Sequence, residues 1–434
     1  MPTGKTYEKL WADIQTIPVI DTHEHFTGPD SQEGHVEPIK SVTSGYVHSD
    51  IASAAGEDVA AMCQNGKVPT ETKWPVFQDV WRRMQHTGYA RVTKLILKNE
   101  YGIENISLES FQSMAGRLLD LRDPAAFEAM LDRYGIRCCL VNVGLDWTKY
   151  LAGDVGVHDR LRLLIAGPEL HGVRDFAAVQ AIAGRVGRHV TCLDEYADAL
   201  REFMTRMKAR GAIGLKDQSA YGRIIRYDSD TRPEAERLFG GIMDDPRSSL
   251  GFPAAKPLDD WLMHAILRIA RDLDLPVQIH TGHMAGIRND VTKTNAAHFR
   301  SVLELHRDVR FDLFHGNWPY AGDWLYLAKN YPNVSLDCCW LHVIDPRYSR
   351  RVLADAVVTI PASKVHGFGG DYGALEFACG HLCVARDNVA AALSGLVDDG
   401  WLGLDDARQV AADWLFNNPN EFFNLGFAPV AATA

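Results

Sequence analysis

Apolar and polar positions along the chain follow two periods, one typical of short buried strands and one typical of amphipathic helices. Short apolar runs bounded by polar or glycine-containing segments predict eight strands, over residues 17–26, 136–144, 161–166, 212–217, 276–282, 310–316, 333–340 and 364–371. Helical patterns lie between them, for example over residues 124–134, 197–210, 261–273 and 346–358. A strand followed by a helix, repeated in this number, predicts an α/β fold of the (β/α)₈ TIM-barrel class.

Two connections are much longer than the others. Residues 27–125 follow the first strand and contain several helical patterns, and a connection of this length is usually functional, so we predict a helical cap. Residues 218–259 are polar, contain proline and predict a second lid loop. Because each begins where a strand ends, both should overhang the same mouth of the barrel. With these insertions and the C-terminal helices, residues 1–434 are expected to form a single domain.

Ionisable side chains stand where five of the predicted strands end. They are His23, His25, Lys216, His280, His315 and Asp371. A lone histidine at a strand end is usually a buried side chain bonded to a backbone carbonyl, but that explanation does not account for five strands ending in this way. In this fold, active sites are built at the C-terminal ends of the strands, so these residues predict one shared site.

The first strand carries the most informative pair. Side chains two apart on a strand point to the same face, so His23 and His25 should lie side by side. Two neutral imidazoles on a rigid strand form half of a divalent-metal site, although His-x-His alone is also compatible with two polar residues at a strand end. By the same parity Gly367 and Gly369 share a face with Asp371, and small residues there predict open space beside its carboxylate.

Composition limits the classes of partner. Hydrophobic residues make up 46% of the chain and the net charge is −11, which argues against nucleic acid or an anionic membrane surface as a partner. There is no run of 18 apolar residues and no hydrophobic signal core at the N-terminus, so we expect a cytoplasmic protein without membrane association. The eight cysteines are too few for a disulfide scaffold in a chain of this length, and most are expected to be buried thiols.

Several motifs together resemble a known group of enzymes. His-x-His on the first strand, histidines on the fifth and sixth strands and aspartate on the eighth resemble the amidohydrolase superfamily. Residues 276–282 (PVQIHTG), 315–320 (HGNWPY) and 369–371 (GGD) resemble its amidohydrolase-2 branch. The greatest likeness is to the amidohydrolase domain fused to glutamine-synthetase-like proteins, with uronate isomerases more distant. The resemblance covers nearly the whole barrel, but this branch contains hydrolases, lactonases, decarboxylases and isomerases.

The resemblance implies one divalent metal ion, zinc or manganese, held by His23, His25, His280 and Asp371. Asp371 would also accept a proton from the attacking water, and His315 would act beside the metal as an acid/base or substrate-orienting group. In binuclear members of the superfamily a lysine on the fourth strand is carboxylated and bridges two metals. The branch resembled here is usually mononuclear, so Lys216 is expected to be a free catalytic amine that contacts a substrate oxygen.

Four further residues are candidates for substrate binding. Arg223 follows the fourth strand and could hold a substrate carboxylate with two hydrogen bonds, or form a salt bridge within the lid. His283 lies three residues after His280 and could contact substrate or bond within its loop. Trp318 and Tyr320 flank the His315 loop and are equally compatible with recognition and with packing.

These expectations lead to a functional hypothesis. The leading one is a metal-dependent hydrolase that cleaves an amide, lactam or lactone bond of a small polar substrate. The alternative is a non-oxidative decarboxylase or a uronate-isomerase-like enzyme acting on a carboxylated or sugar-acid substrate. A catalytically silent scaffold is a third class, which the intact set of ligand residues disfavours. The protein is expected to form a homo-oligomer and to have no partner beyond its small-molecule substrate.

Overall fold

The computed structural model describes residues 4–229 and 231–431. Within these residues eight parallel strands form one sheet in the order β1 to β8, and the sheet curls into a nearly closed (β/α)₈ TIM barrel. All eight strands predicted from the sequence are present, each shorter than or equal to its apolar run. They are β1 (Val19–Glu24), β2 (Ile136–Val141), β3 (Leu161–Ala166), β4 (Gly214–Asp217), β5 (Val277–Ile279), β6 (Phe311–Leu313), β7 (Val334–Asp337) and β8 (Val365–His366).

Helices surround the barrel and cover its ends. Before β1 lies α1 (Lys5–Thr16), and between β1 and β2 lie α2 (Pro38–Thr43), α3 (Val47–Ala55), α4 (Glu57–Gln64), α5 (Thr70–Met84), α6 (Gly88–Tyr101), α7 (Leu108–Met114) and α8 (Pro124–Tyr134). The next helices, up to β5, are α9 (Trp147–Ala152), α10 (Pro168–His171), α11 (Phe176–Gly184), α12 (Leu193–Ala209), α13 (Arg232–Asp244) and α14 (Lys256–Asp272). The remainder are α15 (Arg300–Leu305), α16 (Ala321–Asn330), α17 (Leu341–Ile344), α18 (Pro346–Thr359), α19 (Leu375–Asp398), α20 (Leu404–Ala412) and α21 (Asn418–Phe422). In the part of the chain that the structure describes, no helix is both long and apolar enough to cross a membrane.

The strands separate an apolar outer face from a polar interior. Alternate residues such as Val277 and Phe311 are buried against the surrounding helices. Their neighbours line up across the sheet, with Lys216 paired to Gln278 and Gln278 paired to Asp312. Because side chains alternate along a strand, this register places a layer of fully buried polar groups inside the barrel, directly below the strand C-termini.

Backbone hydrogen bonds close the barrel between its first and last strands. The amide of Thr22 donates to the carbonyl of Phe368 (3.1 Å), and the amide of Asp371 donates to the carbonyl of His23 (2.8 Å). Further along, the amide of His25 donates to the carbonyl of Tyr372 (2.8 Å). We call these three contacts the seam. The seam brings the end of the chain's last strand against the first, although β8 itself has only two residues.

The cap predicted over residues 27–125 contains the six helices α2 to α7. Their apolar side chains form a second core together with residues that follow β6, β7 and β8, namely Phe314, Cys339, Trp340, Tyr372 and Phe377. The cap therefore packs over the ends of the strands from which the candidate site residues project.

The second long connection differs from the lid loop predicted over residues 218–259. Its central part folds as the helix α13, which buries Leu238, Phe239 and Ile242 against the outer helices α12 and α14. Its beginning reaches the mouth, where the ring of Tyr221 lies 4.9 Å from that of His280. The polar composition of residues 218–259 is typical of a loop, because the apolar residues of α13 cover only one face of that helix.

The expected open space around Gly367 and Gly369 is absent. A Cβ on Gly367 would lie 3.0 Å from the Trp414 side chain, and one on Gly369 would lie 2.6 Å from Thr22 Oγ1 and 2.8 Å from Cys339 Cβ. These glycines are required because neighbouring segments approach the backbone, and they leave no room for a ligand.

Candidate metal centre and active site

His23, His25 and Asp371 meet at the seam. The His25 Nε2 atom lies 3.0 Å from Asp371 Oδ1, and the His23 Nε2 atom lies 3.7 Å from the same oxygen. The three donor atoms all lie within 4.8 Å of one another. His23 is completely buried, yet its Nε2 has no hydrogen-bond partner among the residues that the structure describes. A buried orphan nitrogen beside a second imidazole and a carboxylate is a donor set that fits Zn²⁺ or Mn²⁺.

The Nδ1 atoms of His23 and His25 each lie within hydrogen-bond distance of a fixed oxygen atom. His23 Nδ1 lies 3.2 Å from Gln278 Oε1, and His25 Nδ1 lies 2.8 Å from the carbonyl oxygen of Asn142. Each acceptor fixes the hydrogen on Nδ1 and leaves the Nε2 lone pair facing Asp371. Metal-binding histidines in proteins are usually oriented in this way.

His315 and His280 form a second pair beside Asp371. His315 Nε2 lies 3.8 Å from Asp371 Oδ2 and 3.2 Å from His280 Nδ1, and His315 Nδ1 lies 2.9 Å from the carbonyl of Cys339. His280 Nε2 lies 2.8 Å from the carbonyl of His283. His280 is thus one side chain further from the carboxylate than His315, and its role as a ligand stays a prediction.

Cys339 was not among the residues selected from the sequence. Its sulfur lies within 4.8 Å of donor atoms of His315 and Asp371, so the three form another group with metal-ligand chemistry. Burial raises the pKa of the Cys339 thiol well above its usual range, and the nearby Asp371 carboxylate acts in the same direction. An apolar strand ending in Cys-Cys gave no sign that one of the two thiols faces the site.

Lys216 lies inside the barrel as predicted from its place at the end of β4. Its side chain is buried, and its Nζ lies 3.5 Å from the centre of the Phe314 ring. Within the described part of the chain that nitrogen has no hydrogen-bond partner. Burial lowers the pKa of the Lys216 amine, an effect that the Asp371 carboxylate opposes. Burial, assisted by the charge of Lys216, also lowers the pKa of His23 well below its usual range. The His23 imidazole is therefore neutral, as a metal ligand must be.

Asp371 is held in a strained backbone conformation. Its φ is +64°, in the left-handed region that side chains other than glycine rarely adopt. Two buried carboxyl groups of β1 hold the residues on either side of it, because Asp21 accepts from the amide of Gly370 (3.0 Å) and Glu24 accepts from the amide of Tyr372 (2.7 Å). Burial raises the pKa of Asp21 to about 7 and that of Glu24 well above its usual range. Sequence reasoning missed both supporting carboxyl groups.

The cap contributes aromatic side chains to the roof of the site. The Tyr46 hydroxyl donates to the carbonyl of Asp371, and its ring stacks on Trp340 with the centres 4.2 Å apart. The Tyr89 hydroxyl lies 3.2 Å from His283 Nε2. Burial lowers the pKa of His283 to about 4, so its imidazole is neutral at neutral pH. No pattern in the sequence singled out these tyrosines among the many aromatic residues of the cap.

Trp318 and Tyr320, two further candidates from the sequence, differ in their surroundings. The ring of Trp318 lies 5.4 Å from that of His283, so these two line the same side of the roof. Tyr320 lies where α16 begins and makes backbone bonds with Asn317, so its place follows from the turn after β6.

Arg223 is not available to a substrate carboxylate. Its guanidinium is buried and bonds to Asp259 (3.2 Å) and Asp260 (2.5 Å) on α14. The salt-bridge alternative is therefore correct for Arg223. Its two acidic partners lie 36 and 37 residues away in sequence, and no local pattern linked them to it.

Comparison with known proteins identifies the family of this chain. The sequence profile of the amidohydrolase family Amidohydro_2 matches residues 152–425, which is more than half of the chain. Protein fluG of Emericella nidulans is 26% identical over 284 residues, and the match covers 62% of this chain but only 31% of that protein. The chain thus spans less than a third of fluG. Uronate isomerase of Brucella canis is 23% identical over 473 residues, with 98% of this chain and 97% of that protein covered.

Solved structures show the same architecture over the full length. Uronate isomerase of Thermotoga maritima superposes with a TM-score of 0.77 at 13% identity, covering 97% of this chain and 98% of that one. Glucuronate isomerase of Caulobacter crescentus gives 0.71 at 17% identity, covering 100% and 98%. At these identities the likeness concerns the fold alone. The profile match over more than half of its length shows that this chain belongs to the amidohydrolase family.

Proposed function

We propose that the protein is a metal-dependent hydrolase that cleaves an amide, lactam or lactone bond of a small polar substrate. One observation carries the proposal: two imidazoles and a carboxylate from opposite ends of the sheet direct their donor atoms to one point at the barrel mouth. Such a set leaves coordination positions open, which is typical of a catalytic metal centre and not of a structural one.

His23, His25 and Asp371 would hold the ion, zinc or manganese, with His280 as the predicted fourth ligand. When bound there, the ion would polarise the substrate carbonyl and lower the pKa of a water molecule. The second oxygen of Asp371, Oδ2, faces His315 and would accept the proton that the attacking water loses. His315 would then hydrogen-bond to the reacting group, and the Lys216 amine would donate to a substrate oxygen.

The enclosure of the site supports a small substrate. Tyr46, Tyr89 and Trp340 cover it from the cap side, and Asp371 is only 7% exposed. The substrate would therefore bind beneath these aromatic surfaces, beside the exposed edge of His25, with its polar groups directed towards the histidines and Lys216.

A test begins with the metal. Gently purified protein should contain about one divalent ion per chain, and His23→Asn should lose it. Screening amides, lactams and lactones with the zinc- and manganese-loaded protein should then identify a reaction that incorporates ¹⁸O from labelled water. Protein that binds neither ion under conditions in which it is folded would contradict the proposal.

A second candidate is isomerisation of a uronate or a related sugar acid. It is supported by full-length similarity to Brucella uronate isomerase, whereas the match to fluG covers only part of either chain. The labelling experiment separates the two candidates, because isomerisation changes the position of a carbonyl without adding an oxygen atom from water. A product isomeric with its sugar-acid substrate would favour this second candidate.

A further inference from the structure

Gln278 supplies the hydrogen-bond acceptor for Nδ1 of His23, the ring nitrogen that faces away from Asp371. It lies on β5, in the middle of the apolar run PVQIHTG, and its side chain crosses the barrel interior to β1. Both side chains are completely buried. A polar amide in this position needs partners for its hydrogen-bonding groups, and the structure provides them on three sides.

His23 differs from the other histidines of the site in the kind of group that accepts a hydrogen bond from its Nδ1. The Nδ1 atoms of His25 and His315 are each held by a backbone carbonyl, from Asn142 and Cys339. Substitution cannot easily remove a backbone carbonyl. For His23 the acceptor is a side chain, and the support can therefore be withdrawn by a single substitution.

The orientation of the Gln278 amide is determined by its other contacts. Its Nε2 donates to the carbonyl of Thr22 (3.0 Å) and to Asp312 Oδ2 (3.3 Å). The carbonyl of Thr22 can only accept, so the amide nitrogen must face it and Oε1 must face His23. Asp312 is fixed in turn, because its Oδ1 lies 3.0 Å from His366 Nδ1.

We propose that Gln278 is a positioning residue that holds His23 in the tautomer with hydrogen on Nδ1. Its Oε1 accepts that hydrogen, and the lone pair of Nε2 is directed towards Asp371, 3.7 Å away. Without Gln278, His23 would gain more from donating its hydrogen through Nε2 to Asp371, and that tautomer has no lone pair on Nε2, the nitrogen that faces the proposed ion. The part of this inference that concerns metal affinity depends on the proposed function; the part that concerns the tautomer does not.

The test compares Gln278→Met with Gln278→Glu. Methionine is similar in length but offers no comparable acceptor, whereas glutamate retains one. In metal-free protein labelled with ¹⁵N-histidine, NMR should report hydrogen on Nδ1 of His23 in the wild type and in Gln278→Glu, and on Nε2 in Gln278→Met. His23→Asn assigns the signal. Zn²⁺ affinity, measured by competition with a chromophoric chelator, should fall about 10- to 100-fold in Gln278→Met and recover in Gln278→Glu.

A matched control removes a buried amide elsewhere. Asn418 donates to the carbonyls of Ala362 and Val365, both at 2.8 Å, near the other end of β8. Asn418→Leu should lower stability and leave Zn²⁺ affinity unchanged. If Gln278→Met does not fold, Gln278→Asn withdraws the same acceptor by shortening the side chain.

The outcomes are distinct. A wild-type tautomer and affinity in Gln278→Met would overturn the inference, as would an equal loss of affinity in Asn418→Leu. A tautomer change on Gln278→Met in a protein that binds no Zn²⁺ would uphold the positioning role and reject the proposed function.

Discussion

The four histidines of the site differ in which ring nitrogen is tied down. His23, His25 and His315 are held through Nδ1 and present Nε2 towards Asp371, while His280 is held through Nε2 and presents Nδ1 to His315. His280 and His315 therefore share a direct contact through the two nitrogens that face the site. Their roles can be separated by substitution.

His315→Asn should retain most of the metal and lose activity by about 10²–10⁴-fold, the range expected when a positioned acid/base group is removed. His280→Asn should lose both metal and activity. Metal content by atomic spectroscopy and steady-state rates on the same preparations measure the two effects. If His315→Asn emptied the site and His280→Asn left it full, the two assignments would have to be exchanged.

The buried polar layer below the site predicts a pH effect on stability. Burial raises the pKa of Asp312 to about 7. A carboxyl whose pKa is raised on folding stabilises the protein fully below its unfolded pKa, near 4, and loses that contribution as the pH rises through 7. Asp312→Asn, which resembles the protonated acid, should thus gain stability relative to wild type as the pH rises from 5 to 8. Urea unfolding of the metal-free proteins measures the difference, and a pH-independent difference would contradict the expectation.

The predictability of single residues depended on whether their signal was local. His23, His25, Lys216 and Asp371 could be selected because each ends an apolar strand, and the fold brings such ends together. The pairing of Arg223 with Asp259 and Asp260 could not be foreseen, because it depends on how α14 packs. Gln278 did carry a signal, a polar residue within a buried strand, but its meaning required the opposite wall of the barrel.

Among the helices, α6 determines how the cap is placed over the site. It begins at Gly88, next to Tyr89, and a Cβ on Gly88 would lie only 2.0 Å from the carbonyl oxygen of Val343 in α17. The start of the helix is therefore in backbone contact with the segment that follows β7. A side chain there must displace one of the two.

Gly88→Ala should displace the start of α6 and with it Tyr89, whose hydroxyl contacts His283. We expect a loss of about 1–3 kcal/mol of stability, a higher KM and unchanged metal content. Thermal unfolding, steady-state kinetics and metal analysis measure these quantities.

Gly241→Ala provides the matched comparison. Gly241 lies within α13, and a Cβ there would meet no atom within 4 Å. This substitution should stabilise the protein by about 0.5–1 kcal/mol because alanine is the better helix former, without effect on KM. A rise in KM of equal size in both variants would show that the cap contact at Gly88 is not responsible.

At this level the sequence predicted the strands better than the insertions. Periods of two and of 3.6 report which side of an element is buried, so each β–α repeat was recognisable. They do not report which neighbour buries it. The apolar face of α13 could have packed over the mouth or against the outer helices, and only the three-dimensional arrangement distinguishes the two.

The molecule as a whole depends on the seam between its first and last strands. His23 and His25 lie on one side and Asp371 on the other, so an ion bound by all three would link the two ends of the sheet. Because a ligand that binds only the folded state stabilises it, free metal at 100 times its Kd should add about 2.7 kcal/mol.

Chelation should therefore lower the Tm, and hydrogen exchange should accelerate most in residues 19–25 and 368–372. Mass spectrometry of peptides from metal-loaded and chelated protein measures the change. The strands opposite the seam, β4 and β5, serve as the internal comparison, and equal acceleration there would argue against a local link. Restoring zinc or manganese should reverse the effect.

The seam also has a consequence for the synthesis of the protein on the ribosome. His25 and Asp371 are separated by 346 residues, and at about 5–20 residues per second a ribosome needs about 20–70 s to connect them. During that time the emerging imidazoles have no carboxylate opposite them and no closed barrel around them. The growing chain can therefore expose its histidines without binding zinc or manganese in a complete site. The complete site forms only when the last strand has been synthesised.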